Sequence, residues 1–221
     1  MQAALNGFIS TLTKADQISL LKDARKIYLH AGDVLSSTIQ TSSKIYFPTR
    51  GSIVLFLGQT DDAKGSHHGL AIGLIGAEGA AGLQLALGFG HLPFQLLVQS
   101  SGEAYVVDAT DAQKLVQRRP IVLFKFSQYL WHLYTDIANF AVNAYNTDIQ
   151  IRLAKWLIIS AQLCAPEPLR LTHLHMAKML GVRRSSISIA ARDLKLKRYI
   201  NYKRGLITLT NLPALQKLAA G

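Results

Sequence analysis

Cysteine occurs once, at Cys164, among 221 residues. A single thiol excludes a disulfide framework within the chain and an all-cysteine iron–sulfur or zinc site, and it fits a reducing cytoplasm. Long uncharged runs are scarce. The one candidate lies between Gly69 and Val98, where Glu78 is the only formal charge. Seven glycines fall between Gly69 and Gly90, and each weakens a helix by about 1 kcal/mol. The run therefore reads as short buried strands joined by tight turns, and no membrane span is expected. The opening MQAALNGFISTLTKADQ has no basic segment followed by an apolar one, so no secretory signal is expected. Nucleophile-elbow, phosphate-loop and HExxH patterns are missing, and an enzyme is not expected.

Acidic residues are sparse in the last third of the chain. Residues 146–221 hold 13 Lys and Arg against 3 Asp and Glu, whereas residues 1–145 hold 11 against 10. Nearly all of the net charge of +11 thus sits in one region, which points to a face for a polyanion.

What is present falls into segments. LNGFISTLTKADQISLLKDARKIYLH opens with a helical pattern on Phe8, Leu12, Ile18 and Leu21. Short strands closed by turn residues follow: RKIYLHAGD, SKIYFPTRGSIVLFLGQ, HHGLAIGLIGAEG, FQLLVQSSG and EAYVVDA. Their spacing predicts an antiparallel roll or barrel, and GQTDDAKGSHHG reads as an exposed hairpin loop. TDAQKLVQRRP predicts a short helix ending before Pro120. From Ile121 to Tyr145 there is neither Gly nor Pro, and two seams alternate at spacings of 4 and 3. One is Phe126, Leu130, Leu133, Ile137, Phe140 and Ala144. The other is Phe124, Gln128, Trp131, Thr135, Ala138, Val142 and Tyr145. A helix apolar on two faces needs two partners. The second is either the rest of its own domain or another copy of the same helix, and sustained heptad spacing favours the copy. A further helix, TDIQIRLAKWLIISAQLC, carries Ile151, Ala154, Leu157, Ile158 and Ala161 on one face, and APEPLR breaks it.

LTHLHMAKMLGVRRSSISIAARDLKLKRY has the grammar of helix, turn, helix. Thr172 suits an N-cap, Leu174, Ala177 and Leu180 an apolar face, and Gly181 a left-handed stop. Val182 is expected between the helices. The second helix, from Arg184 to Lys197, buries Ile187, Ala190, Ala191 and Leu194. Its other side presents Ser185, Ile189 and Arg192, flanked by Arg184 and Ser188. Arginine bonds guanine bidentately, serine bonds phosphate or base, and isoleucine meets a thymine methyl, so this face fits a major groove. A merely solvated basic helix leaves Ile189 and the small residues Ser185, Ser186 and Ser188 unexplained. YINYKRGLITLTN then predicts a hairpin with the basic tip Lys203–Arg204–Gly205, a wing for the phosphate backbone. LPALQKLAA closes the unit as a helix.

A roll, a long helix and a winged helix-turn-helix in this order resemble the Crp–Fnr family of bacterial transcription regulators. Besides the C-terminal stretch, KIYFPTRGSIVLFL and GLIGAEGAAGLQLALG resemble the family's roll strands and the glycine-rich entry to its effector pocket. The resemblance implies an α+β chain with a β-roll sensor domain at 1–119, a dimerisation helix at 120–146 and a DNA-binding domain at 147–221. It implies a cytoplasmic homodimer on an inverted-repeat operator, with RNA polymerase as a further partner. Arg184, Ser185, Ser188 and Ile189 fall on base-reading positions, with Arg183, Ser186, Arg192, Lys203 and Arg204 completing the expected interface. Ile189 replaces the family's usual arginine, so the usual operator half-site does not carry over. Arg183 replaces a Ser or Thr cap worth about 1 kcal/mol. Phe124, Trp131, Ala138 and Val142 are the expected dimer contacts.

The family's effector cassette holds a cyclic nucleotide with a Gly-Glu pair and an Arg-Ser pair. Here Gly82–Leu83 stands at the first and Phe94–Gln95 at the second, so neither pair survives. Gly79 to Gly82 retain backbone amides, and Leu83, Leu85, Leu87, Phe89 and Phe94 are the expected lining. No Lys or Arg occurs from Gly65 to Gln113. A cyclic nucleotide is therefore not expected, and the lining suits an apolar or neutral effector of unknown identity, or none. No cofactor is implied. Of the seven histidines, His67 and His68 read as loop residues and His173 and His175 as surface residues of the DNA-binding motif. No metal site is expected, although sequence leaves open whether His30, His91 and His132 meet. The remaining alternative is a winged helix that binds protein or RNA, with the roll as scaffold.

Overall fold

The computed structural model describes residues 5–36, 43–58, 69–165 and 169–220. It is an α+β chain whose contacts gather into two compact units, 1–55 with 75–137 and 56–74 with 138–221. Among the described residues no helix is long and apolar enough to cross a membrane.

In the first unit the expected N-terminal helix is two short ones, α1 (Gly7–Ser10) and α2 (Lys14–Leu21). Thr13 causes the break: its side chain accepts from Asp16 N–H and caps α2. The cap resets the helical phase, so Leu20 is buried while Ile18 faces solvent, contrary to the single amphipathic pattern read from sequence. Asn6 anchors this segment. Its Nδ2 donates to Pro48 O at 2.7 Å and Gly79 O at 2.8 Å, and its Oδ1 accepts from Ile9 N–H. A buried amide with these partners fixes two turns at once.

Among the described residues seven strands follow, with the end of β4 and most of β5 falling in the second unit: β1 (Arg25–Leu29), β2 (Val34–Ser36), β3 (Lys44–Pro48), β4 (Ser52–Gly58), β5 (Gly69–Ile75), β6 (Gln95–Ser100) and β7 (Gly102–Asp108). They form sheets of order β1-β7-β3 and β2-β6-β4-β5. The pairs β1–β7, β3–β7 and β2–β6 are antiparallel. The first five residues of β4 are all buried, as an unbroken apolar run covered on both faces requires. A 3-10 turn, Leu83–Leu87, bridges β5 and β6. The hairpin loop containing His67 and His68 lies outside the described residues, as do 166–168 of the proline break.

After β7 come α3 (Ala109–Arg118) and α4 (Pro120–Asn146). The two seams of α4 differ in burial. Phe126 is fully buried and Leu130 and Leu133 are half-buried, whereas Phe124, Trp131, Ala138, Val142 and Tyr145 are exposed.

The second unit continues with α5 (Ile149–Cys164), started by Asp148, which accepts from Gln150 N–H at 2.7 Å. Leu153, Ala154, Trp156, Leu157, Ile158 and Ser160 are all buried. This helix is therefore covered around most of its girth, not along the single face expected. Trp156 meets Phe140 edge-on at 6.2 Å, which accounts for the extra side. Then follow β8 (Leu169–Arg170), α6 (His173–Leu180), α7 (Arg184–Leu196), β9 (Ile200–Lys203), β10 (Leu206–Leu209) and α8 (Leu212–Ala220). The small sheet has order β8-β10-β9, so a third strand backs the expected hairpin.

Candidate nucleic-acid interface

The interface is built on the turn between α6 and α7. Thr172 caps α6, accepting from His175 N–H at 3.1 Å. Gly181 ends it at φ 64°, and its N–H reaches back to Ala177 and Lys178 carbonyls. A side chain there would be strained by that φ and would meet Gly69 O at 3.0 Å. Arg152 of α5 donates to Leu180 O and so satisfies another open carbonyl at the same helix end. The buried side of α6 is Met176, Ala177, Met179 and Leu180. Leu174, expected inside, is half exposed.

Helix α7 buries Ile187, Ala190, Ala191 and Leu194. Arg184, Ser185, Ile189 and Arg192 are exposed on it, with Ile189 at 56%. Arg183 is the N-cap residue, and its side chain makes no capping bond. Ser186 is half-buried, and its N–H donates to Arg183 O at 3.0 Å. Ser188 is half-buried as well. Its hydroxyl donates to Arg184 O at 3.1 Å and lies 2.9 Å from His173 Nδ1. Asp193 is held by Gln150 Nε2 at 2.9 Å and stands 4.0 Å from Arg192 Nε.

β9 and β10 pair through a two-residue turn, Arg204 at φ 51° and Gly205 at φ 80°. Two positive φ angles in succession match the twist of the strands. Lys203 and Arg204 are exposed at its tip, and Lys195 Nζ donates to Tyr202 O at 3.3 Å, tying α7 to β9. Arg183, Arg184, Lys203 and Arg204 have no acidic partner among the described residues. The structure thus brings the cations of the α7 N-terminus and of the wing into one unit, uncompensated.

Two residues had been read only as surface histidines. His173 is half-buried and stacks on Tyr202, with ring centroids 4.6 Å apart. Burial, and then the Arg184 charge, lower its pKa. His175 is more enclosed: burial, with Lys178 adding to it, pushes its pKa down to about 4, and its Nε2 has no partner among the described residues. The signal in the sequence was their position beside a helix start that must pack against α7. His30, His91 and His132 are exposed, and no group of three metal-binding side chains occurs among the described residues.

The expected effector residues lie in the first unit. Gly82, at φ 86°, starts the 3-10 turn, and Leu83, Phe94 and Gln95 are buried. Three of the four amides expected to be open are occupied. Gly79 N–H donates to Gly76 O at 3.2 Å and Ala81 N–H to Tyr46 O at 2.8 Å. Ala80 N–H donates to the Tyr129 phenol oxygen of α4 at 2.9 Å. Burial raises the Tyr129 pKa well above its ordinary range, so the phenol stays neutral. The expected lining also divides: Leu83, Leu85 and Phe94 are buried, while Phe89 is exposed. Leu87 and Phe89 instead edge a surface groove of about 480 Å³ with Gln113, Val116 and Leu123.

His175 gives a pH dependence with a definite sign. The unfolded imidazole takes up a proton near pH 6.5 and the folded one near 4. The stabilisation is whole above about 6.5, is lost as pH falls, and is gone by about 4. Lowering the pH from 7 to 5 should cost about 2 kcal/mol through this residue. Denaturant titrations of wild type and His175→Gln at both pH values should show that difference shrink by about this amount. An equal drop in the two proteins would contradict the burial argument.

Residues 151–218 match the Crp-like helix-turn-helix domain. No curated protein matches the chain. Among solved structures it is similar to FixK2 from Bradyrhizobium japonicum, at 13% identity over 90% of this chain and 98% of that one, with a TM-score of 0.73. It is similar to the c-di-GMP responsive global regulator CLP of Xanthomonas campestris, at 15% identity, 89% and 99% coverage and a TM-score of 0.69. A CRP/FNR-family transcriptional regulator from Thermus thermophilus gives 17% identity, 89% and 99% coverage and a TM-score of 0.68. At these identities the likeness is one of fold, and the domain match concerns residues 151–218. Residues 151–218 are thus a Crp-like helix-turn-helix domain, and the chain as a whole shares its fold with solved Crp/Fnr transcription regulators.

Proposed function

We propose that the protein is a homodimeric, sequence-specific DNA-binding regulator of the cytoplasm, with no catalytic activity and with an effector domain that does not take cyclic nucleotides. The observation that carries this reading is α7, which buries Ile187, Ala190, Ala191 and Leu194 and exposes Arg184, Ser185, Ile189 and Arg192. Arg184, Ser185 and Ile189 reach base edges, Arg183, Lys203 and Arg204 lie on phosphates, and Arg192 and Ser186 line the flank. The roll at 1–119 is the sensor or scaffold, 120–146 joins two subunits, and 147–221 binds DNA, with RNA polymerase as a further partner.

Phe124, Trp131, Ala138 and Val142 recur at heptad spacing on the exposed side of α4. Pairing of two such helices sets the recognition helices about one DNA turn apart and makes the operator an inverted repeat. Trp131→Glu should give monomers by light scattering. A dimer with normal DNA binding would move the interface elsewhere.

Phosphate contacts make binding steep in salt, each adding about 0.9 to the slope of log affinity against log salt. Replacing Lys203 and Arg204 together by Ala should lower the slope by roughly 2 per subunit with sequence preference intact. Ile189→Ala should change preference at one base pair with the slope unchanged. A wing variant with the wild-type slope would remove the wing from the interface.

A cyclic nucleotide would bring a phosphate anion into a buried site, which is costly without a cation or free donors. The cassette has no Lys or Arg, and the amides of Gly79, Ala80 and Ala81 are spent on Gly76, Tyr129 and Tyr46. The response to c-di-GMP that names the Xanthomonas regulator does not transfer on these residues. Calorimetric titration with cyclic AMP to millimolar concentration should give no saturable heat, and micromolar binding would sink this part of the reading.

A further inference from the structure

The deepest constraint on the recognition face comes from a residue outside it. Ser188 has one hydroxyl hydrogen, and Arg184 O, 3.1 Å away, is a partner that can only accept it. The 2.9 Å contact between Ser188 Oγ and His173 Nδ1 therefore needs its hydrogen from the imidazole. That sets His173 as the Nδ1–H tautomer, with Nε2 carrying a lone pair, buried and without a partner among the described residues. The same ring lies on Tyr202 at 4.6 Å and 23°, one residue before the cationic wing tip. Thus one side chain at the start of α6 holds both α7 and β9.

We infer that His173 is a positioning residue of the DNA interface, which fixes the Ser188 hydroxyl as an acceptor and seats the wing through Tyr202. The inference rests on the DNA-binding reading and refines it. Ser188 has spent its only donor and one lone pair, so one acceptor site remains. Phosphate oxygens and guanine N7 and O6 are acceptors and get nothing from it. The amino groups of adenine N6 and cytosine N4 are donors and fit. Ser188 thus selects an amino-bearing base edge rather than anchoring phosphate. Neutrality of the ring is part of the arrangement, and burial together with Arg184 lowers the His173 pKa in that direction.

Two substitutions separate the two roles. His173→Phe keeps a ring on Tyr202 and removes the donor. His173→Asn places an amide N–H where Nδ1–H stood, since Cβ–Cγ–Nδ2 repeats Cβ–Cγ–Nδ1, and removes the ring. Full-length proteins are selected against random duplex DNA, and the best sequences are then measured over a salt series. His173→Phe should relax preference about fivefold to tenfold at one base pair per half-site, where wild type takes adenine or cytosine, with the salt slope unchanged. Ser188→Ala should relax the same position. His173→Asn should keep the preference and lose about 1 unit of slope per subunit as the wing loosens. Nitrogen-15 spectra of histidine-labelled wild type give a readout independent of any variant's folding: His173 should be the neutral Nδ1–H tautomer at pH 7. An Nε2–H tautomer, or wild-type preference in His173→Phe, would overturn the role of His173. A wild type that selects no sequence would overturn the DNA-binding reading instead.

Discussion

How closely α7 can approach α5 and α6 governs everything the C-terminal unit presents. Ala190 and Ala191 carry nothing beyond Cβ, which permits a close approach of α7 to α5 and α6, and Ile187 and Leu194 are buried beside them. Burying those two larger side chains contributes roughly 1.5–3 kcal/mol each. The opposing effect is repulsion among Arg183, Arg184, Arg192 and the wing cations. In water a pair of unit charges at 4 Å interacts by about 1 kcal/mol, and salt screens it beyond about 8–10 Å. The apolar seam wins, and among the described residues Arg183, Arg184, Lys203 and Arg204 stay without an acidic partner while Arg192 has Asp193 at 4.0 Å. A face neutralised by its own acids would release no counterions from DNA and gain nothing from phosphate.

The first unit meets its hydrogen-bonding demands in the opposite way, by using its donors internally. Asn6 bonds Pro48 O and Gly79 O, and Tyr129 takes Ala80 N–H. Around a glycine-rich turn that can coordinate an anion only with open amides, the chain supplies acceptors to Gly79, Ala80 and Ala81. Tyr129 ties this turn to the helix that also carries the exposed heptad seam. A residue at position 79 larger than glycine would push directly on the Tyr129 phenol.

Most of the architecture was legible because its signals are periodic. The strands appear where short β-branched runs meet glycine, and the two seams that spacing marks on α4 differ in burial, one buried to half-buried and the other exposed. Failures cluster where a single specific contact overrides periodicity. Thr13 breaks an apparently continuous helix and turns Ile18 outward. Trp156 covers a second side of α5 by meeting Phe140. The amides of Gly79 to Ala81 looked free because their acceptors lie at residues 46, 76 and 129. His173 was invisible as an interface residue because its meaning depends on Ser188 and Tyr202, which only folding brings beside it. Periodicity reports which side of an element is buried; it is silent on which polar atoms meet there.

The exposed seam of α4 and the base-reading face proposed for α7 bear on one another. On the proposed reading, one recognition helix offers Arg184, Ser185, Ile189 and a restricted Ser188, enough for a few base pairs. Each correct pair is worth about 1–3 kcal/mol of discrimination, against a genome of some millions of competing sites or more. A single copy would leave binding dominated by the sequence-blind phosphate term that its charge supplies. Two copies held rigidly double the discrimination without raising the cost of a second association. Trp131 and Tyr134, stacked at 5.8 Å on the solvent side of α4, and Val142 two turns further on are large apolar groups left in water. Contiguous exposure of that kind is reconciled with solubility when a partner covers it. In the proposed dimer the seam that supplies the covering also sets the separation of the two reading heads, so specificity and burial are served by the same residues.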